Sequence, residues 1–376
     1  MKRFWRLLAL ALVLALLTGV CQAEAFDGTR RSVRIRAVGD LMMHARQLRI
    51  AKQSDGSYDF HPQFALAAES LADADYTIAN LETTVGRYKD KDYSGYPRFN
   101  APEAYLEAVR DCGVDFLTLA NNHMLDRYGG GMKKTVTLVE QYGFDHGGAN
   151  RSQKEKDRPV VVDVNGVRLG MLCYTEMTND MEDHCEKYVR TYGINYLKKA
   201  DIPGDVKKLR AAGAEVIIAM PHWGSEYNRK PDGDVRTLAK KMVAAGVDVI
   251  LGSHPHVVQP IALVEAEDAD GNRRVGLVAY SLGNFISNMT KPDTDSGIIL
   301  DFTLREKDEG DGFEIVDIGV VPLYCWNRSD MIQTLPSARY DLQPPEGMGK
   351  NAAANMRETC RSLRALLDER IPLLLQ

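Results

Sequence analysis

Through most of this chain, short apolar runs of β character alternate with helical segments, and that alternation most limits what it can fold into. Residues 32–39 alternate Val33, Ile35 and Ala37 with polar neighbours and end on Gly39-Asp40. Residues 75–79 and 114–120 are apolar runs that follow helices near 62–72 and 102–112, each with a proline (Pro62, Pro102) at or near its first turn. Residues 130–142 read as a further helix, closed by Gly143. Residues 160–174 read as a hairpin turning on Asn165-Gly166. A helix ending at Ala212, a strand over 215–220, a helix over 235–245 and a strand over 248–251 follow. Two more hairpins span 261–281, around Asp270-Gly271, and 297–322, with a charged tip at 307–311. Residues 352–367 read as helical. Strands alternating with helices, then runs of strands, predict a mixed α/β (α+β) sheet sandwich with helices outside. With no internal repeat and no Pro/Gly/Ser-rich linker, residues 30–376 read as one domain.

The first residues carry a targeting pattern. Lys2, Arg3 and Arg6 precede an uninterrupted apolar run over 7–17, and Ala23-Glu24-Ala25 has the small-x-small form of a cleavage site. The run is short for a span, which needs about 20 apolar residues. Residues 1–25 are expected to be a cleaved signal peptide, with an N-terminal membrane anchor as the alternative. Either places the body of the protein outside the cytoplasm, secreted or anchored at the cell surface. Of the 6 cysteines, Cys21 falls in this leader. The other five show no regular spacing, so most are expected to be small core residues rather than a disulfide framework. With a formal net charge of −5, nothing points to a nucleic-acid binder, which is usually basic with clustered Lys and Arg.

The polar residues at the strand ends carry the chemistry. The C-terminal ends of strands are where α/β sheets place their sites. The first strand ends in Asp40, with His44 shortly after. The second ends in Asn80-Leu81-Glu82, where Asn80 and Glu82 share a face in extended chain. The third runs into Asn121-Asn122-His123, then Asp126. The fourth runs into His222. The fifth runs into His254-Pro255-His256, where proline biases His254 towards extended geometry and both imidazoles would project to one side. Each of these has an ordinary structural reading too: Asp40 as a helix N-cap, the asparagines as turn residues, a lone histidine as a satisfied core group. The combination is what counts. Of 8 histidines, His44, His123, His222, His254 and His256 all fall at predicted strand ends. A set of imidazole, carboxylate and amide oxygen without thiolate suits divalent Mn, Fe or Zn. Asp126 is placed to orient His123. Arg98 and Asn284 are weaker candidates for contacting substrate.

Six segments in this order, Gly39-Asp40-Leu41-Met42, Ala79-Asn80-Leu81-Glu82, Leu119 to His123, His222 to Tyr227, Gly252 to His256 and Tyr280 to Phe285, resemble the poly-γ-glutamate capsule synthesis protein CapA family, related to calcineurin-like metallophosphoesterases. They span most of residues 35–290. The resemblance implies a four-layer αββα sandwich and two divalent metal ions. It makes Asp40 the leading metal aspartate, Glu82 the bridging carboxylate, Asn122 the metal-binding asparagine, and His222, His254 and His256 the downstream ligands. His123 becomes the general acid. The superfamily's first motif has histidine two residues after its aspartate; here that position is Met42, so either His44 substitutes or the first metal site is one ligand short.

Beside a purely structural fold with vestigial metals, two functions from different classes follow. One is a metal-dependent hydrolase of capsule biosynthesis, acting on a phosphoester or, alternatively, a polyglutamate amide. The other is a non-catalytic component that binds or assembles an acidic capsular polymer alongside capsule-synthesis membrane proteins.

Overall fold

All but two of the described strands assemble into two sheets whose parallel centres both point at one edge, and the remaining two pair with each other. The structure is a computed structural model and describes residues 30–88 and 92–374; the leader expected at residues 1–25 lies outside the described residues. In chain order the strands are β1 (Ser32–Met42), β2 (Tyr76–Glu82), β3 (Thr84–Val85), β4 (Asn100–Ala101), β5 (Phe116–Thr118), β6 (Asp145–Gly147), β7 (Val161–Val164) and β8 (Val167–Thr175). After them come β9 (Val216–His222), β10 (Val249–Leu251), β11 (Ile261–Glu267), β12 (Arg273–Ala279), β13 (Asn284–Ile286), β14 (Ser296–Glu306), β15 (Phe313–Asn327) and β16 (Ile332–Pro336).

The first sheet runs β16-β15-β14-β1-β2-β5-β6, with β13 also paired to β1; the second runs β11-β12-β10-β9-β8-β7. In the first, β1, β2, β5 and β6 are mutually parallel, while β14, β15 and β16 continue antiparallel. In the second, β8, β9, β10 and β12 are parallel, with β7 and β11 antiparallel at the edges. The three expected hairpins are β7–β8, β11–β12 and β14–β15. Asn165 and Gly166 turn the first with φ of 51° and 81°, the doubly positive geometry of a two-residue hairpin turn.

Period-2 alternation sorts the strand side chains into layers. Val33, Ile35 and Ala37 of β1 meet Ile218 and Met220 of β9 and Val249 and Leu251 of β10 in a core between the sheets. The opposite face of the first sheet, including Val38, Ala79, Leu81 and Leu117, packs on Leu48, Phe64, Leu106 and Val136 from four helices. The opposite face of the second, including Ile217 and Ala219, packs on Val206 and Leu209 of helix Ile202–Ala211 and on Val235, Met242 and Val243 of helix Gly233–Ala244. The order is therefore helices, sheet, sheet, helices: the four-layer αββα sandwich. Helix Ile202–Ala211 starts where the Asp201 side chain accepts the Gly204 N–H at 3.2 Å, a conventional N-cap.

All five cysteines among the described residues are free, and Cys112, Cys173 and Cys325 are buried. No helix among those residues is long and apolar enough to cross a membrane.

Candidate metal centre

Asp40 reaches the edge of the first sheet because Gly39 lets another backbone pass beside it. A Cβ on Gly39 would lie 1.8 Å from the Gly283 carbonyl oxygen, and the same carbonyl accepts the Asp40 N–H at 3.0 Å. The close approach pairs Asp40 with Asn284 of β13 on one side, while Asn80 of β2 pairs with it on the other. Two residues on, Glu82 ends β2 on the same face as Asn80.

His222 ends β9, and Ser253 follows β10 in a parallel bridge beside it. The segment after β10 departs from the extended geometry expected of His254. His254 and His256 have φ of 97° and 57°, in the left-handed region that non-glycine residues rarely adopt. The loop is held there by its backbone: the Pro255 carbonyl accepts the Tyr227 N–H at 2.8 Å, and Ser253 N–H donates to the Pro221 carbonyl at 3.1 Å. Strain of this kind, about 1–3 kcal/mol per residue, persists where surrounding contacts over-determine it. Both imidazoles still turn to the site, with ring centroids 5.9 Å apart.

Two groups of ligand-type atoms result. Asp40, Glu82 and His222 form one, and Glu226, His254 and His256 the other; within each group the donor atoms lie within 4.8 Å of one another. His256 joins them, its Nδ1 3.1 Å from Asp40 Oδ2 and its Nε2 3.5 Å from Glu82 Oε1. His222 Nε2 lies 3.9 Å from the same Glu82 oxygen and 3.0 Å from Asn122 Oδ1. Six of the residues singled out from the sequence, Asp40, Glu82, Asn122, His222, His254 and His256, are thus brought together from five strand ends.

The donor chemistry fits divalent cations. Asn284 donates its Nδ2 to the carbonyls of His256 (3.2 Å) and Thr294 (2.9 Å), so its Oδ1 faces the His256 ring and accepts from Nδ1 at 3.1 Å. The proton on Nδ1 leaves a lone pair on Nε2, facing Glu82 Oε1. Lone pair opposite carboxylate is an arrangement that a cation completes. Asp40 Oδ2, Glu82 Oε1 and His254 Nδ1 are buried without any hydrogen-bond partner, a cost that metal ligation removes. Burial holds His222 well below the usual imidazole range, and burial together with the neighbouring His256 lowers His254 to about 4. Both are therefore neutral ligands at pH 7. Burial, reinforced by the Asp40 charge, pushes Glu82 well above the usual carboxylate range; positive charge is what would restore it.

Beside the cluster stands His123. Its Nδ1 lies 2.8 Å from Asp126 Oδ2, which also accepts the Phe99 N–H at 2.6 Å. The Phe99 ring meets the His123 ring edge to face, 4.4 Å between centroids. His123 Nε2 makes no hydrogen bond within the described protein.

Three candidates stand differently. His44 caps helix Ala45–Ala51, its Nδ1 accepting the Asn288 N–H at 3.2 Å, and it enters neither ligand group. Asn284 acts on His256 rather than facing open space. Arg98 is bound to Tyr128, donating Nη1 to its hydroxyl at 2.9 Å with the guanidinium 5.4 Å from the ring centroid. It connects with the cluster through its neighbour Phe99.

A family model described as bacterial capsule synthesis protein PGA_cap matches residues 34–289, the span that holds the entire cluster. The chain belongs to this family. It is 30% identical over 324 residues to the capsule biosynthesis protein CapA of Bacillus anthracis, covering 84% of this chain and 74% of that one. It is 26% identical over 301 residues to the PGA biosynthesis protein CapA of Bacillus subtilis (strain 168), covering 75% and 70%. Among solved structures it is similar to the calcineurin-like phosphoesterase YfkN from Bacillus subtilis, at 16% identity and a TM-score of 0.45, covering 90% of this chain and 99% of that one.

In this PGA_cap member, sequence reasoning passed over Glu226. It lies four residues beyond the end of β9 and reaches His254 and His256 only because the Tyr227–Pro255 backbone bond folds its loop back. Its place inside the shared His222 to Tyr227 segment was the available signal.

Proposed function

We propose that this capsule-family protein is an extracytoplasmic metal-dependent hydrolase that acts on an acidic polymer or a phosphoester during capsule assembly. One observation carries the reading: two neighbouring ligand groups meet where His256 of one faces Asp40 and Glu82 of the other, and a His123–Asp126 pair stands next to them. Asp40, Glu82, Asn122 and His222 would hold one ion, and Glu82, Glu226, His254 and His256 the other. Two bound divalent cations would polarise the scissile group and lower the pKa of an attacking water. The chain's own residues supply the rest. Asp126 fixes the His123 ring by accepting its Nδ1 proton, and the doubly protonated ring would give its second proton, the one on Nε2, to the departing oxygen or nitrogen and return to the neutral form. Asn284 keeps His256 in the tautomer that ligates. Phe99 packs edge to face with the His123 ring, which limits its rotation.

The family relationship supports a role in polymer biosynthesis, and the apolar run at residues 7–17 supports export. Metal content of purified residues 30–376, measured with an activity screen, tests the reading. Two equivalents of transition metal with phosphodiesterase or polyglutamate hydrolase turnover, lost in His256→Ala, are expected. Full occupancy without turnover on any substrate would turn the assignment to a binding component of capsule assembly. Absence of metal would overturn it.

A further inference from the structure

We infer that Asn80, locked by Asn121, is the positioning residue that decides which oxygen each site carboxylate offers to a cation. The inference rests on the metal-centre reading above and concerns residues that bear no ligand role in it.

Asn80 is 3% exposed, within the cluster. Its Nδ2 donates to Asp40 Oδ1 at 2.7 Å and to Glu82 Oε2 at 3.4 Å. One amide therefore contacts both acids. In each case it takes one carboxylate oxygen and leaves the other, Asp40 Oδ2 and Glu82 Oε1, buried and without a hydrogen bond. Those two remaining oxygens are the ones that lie 3.1 and 3.5 Å from the His256 ring nitrogens. The amide thus sorts four carboxylate oxygens into two that are hydrogen-bonded and two that face the imidazoles.

The sorting works only if the amide points its nitrogen at the acids. Asn121 enforces that. Its Nδ2 donates to the Leu81 carbonyl at 2.8 Å, which fixes its own orientation, and to Asn80 Oδ1 at 3.1 Å. Flipping Asn80 would set two N–H groups against each other and two oxygens against each other. Asn121 Oδ1 in turn accepts the His123 N–H at 3.2 Å, so the same pair of amides links the carboxylates to the backbone of the residue that would move the proton. Backbone geometry puts Asn80 here: it is the direct β2 partner of Asp40 on β1, and Glu82 lies two residues further along the same face.

Ligand-orienting partners of this kind are worth about 10–100-fold in metal affinity. The test is Mn²⁺ affinity and stoichiometry, by chelator competition, of the intact folded chain carrying Asn80→Leu, which keeps the side chain's size but removes the donor, and of Asn121→Ser, which removes the lock. We expect Asn80→Leu to weaken binding by about 10–100-fold, and Asn121→Ser to weaken it in the same direction. Urea unfolding in chelator accompanies both, since a purely structural role would lower stability while leaving the affinity of the folded molecules unchanged. Wild-type affinity and stoichiometry in folded Asn80→Leu would overturn the inference. If that variant does not fold, Asn80→Ser is judged by the same measure. A wild-type chain that binds no Mn²⁺ would overturn the metal-centre reading itself, so the two failures are distinguishable.

Discussion

Asp126 receives His123 Nδ1 at 2.8 Å on the same oxygen that accepts the Phe99 N–H at 2.6 Å, so one carboxylate oxygen fixes both a candidate acid and the aromatic ring beside it. Burial raises the Asp126 carboxyl above the usual range, and the His123 hydrogen bond opposes that shift. Asp126→Asn keeps the shape and an acceptor for Phe99 but removes the charge that stabilises a protonated His123. We expect kcat to fall by about 10²–10⁴-fold while metal content stays at the wild-type level. Parallel steady-state kinetics and metal analysis check it; loss of metal in the variant would move Asp126 from proton transfer to support of the cluster.

Buried imidazoles give the chain an acid limit. Burial lowers His44 and His254 to about 4 and holds His222 well below the usual imidazole range. In the unfolded chain histidine takes its proton near pH 6.5, so between about pH 6.5 and 4 these three imidazoles bind more protons in the unfolded state than in the folded one. The stability they contribute is fully present above that window and is lost as pH falls through it, while the raised Glu82 carboxyl acts in the opposite sense. Chelator-treated protein should show a falling urea midpoint from about pH 6.5 to 4. His44→Gln, which removes one of these groups, should flatten the slope.

Much of this was legible in the sequence because it depends on period and position. Asn165-Gly166 can turn a hairpin with two positive φ values, and Asn80 and Glu82 must share a face if the strand is extended. What escaped depends on tertiary contacts. Strand β16, Ile332–Pro336, ends on a proline and gains its identity by pairing with β15, which itself runs on to Asn327 beyond the expected hairpin. The left-handed backbone at His254 and His256 runs against the local preference that Pro255 sets, and only bonds to distant segments hold it. Glu226 enters the site by the same fold-back. His44 follows the expected order along the chain, yet its ring is claimed by the Asn288 backbone.

Away from the site, β1 and β14 are tied by a charge cluster. Asp301, the register partner of Arg36, binds Arg36 Nε at 3.1 Å and Arg34 Nε and Nη2 at 2.9 and 2.7 Å. Arg36 is 1% exposed, and its other contact is the Ser70 carbonyl at 2.6 Å. Asp301→Ala strands that guanidinium, which should cost about 3–5 kcal/mol in urea unfolding. Because the cluster lies beneath the first sheet and not at its C-terminal edge, Mn²⁺ affinity of the folded variant should match wild type.

Metal should stabilise the fold through the same residues that bind it. Asp40 Oδ2, Glu82 Oε1 and His254 Nδ1 are buried and unpartnered, and in the unfolded chain they would be hydrated and far apart. Cations that bind only the folded arrangement add stability by mass action, about 2.7 kcal/mol per site at a free concentration 100 times Kd. Calorimetry with and without Mn²⁺ should show a rise in melting temperature that grows with metal concentration. His256 belongs to one ligand group and faces the other, so His256→Ala should abolish most of that rise, whereas Asp126→Asn, at a carboxylate hydrogen-bonded to His123 and Phe99, should keep it. An equal rise in all three proteins would place the stabilising ions elsewhere on the chain and end the case for a shared centre at Glu82 and His256.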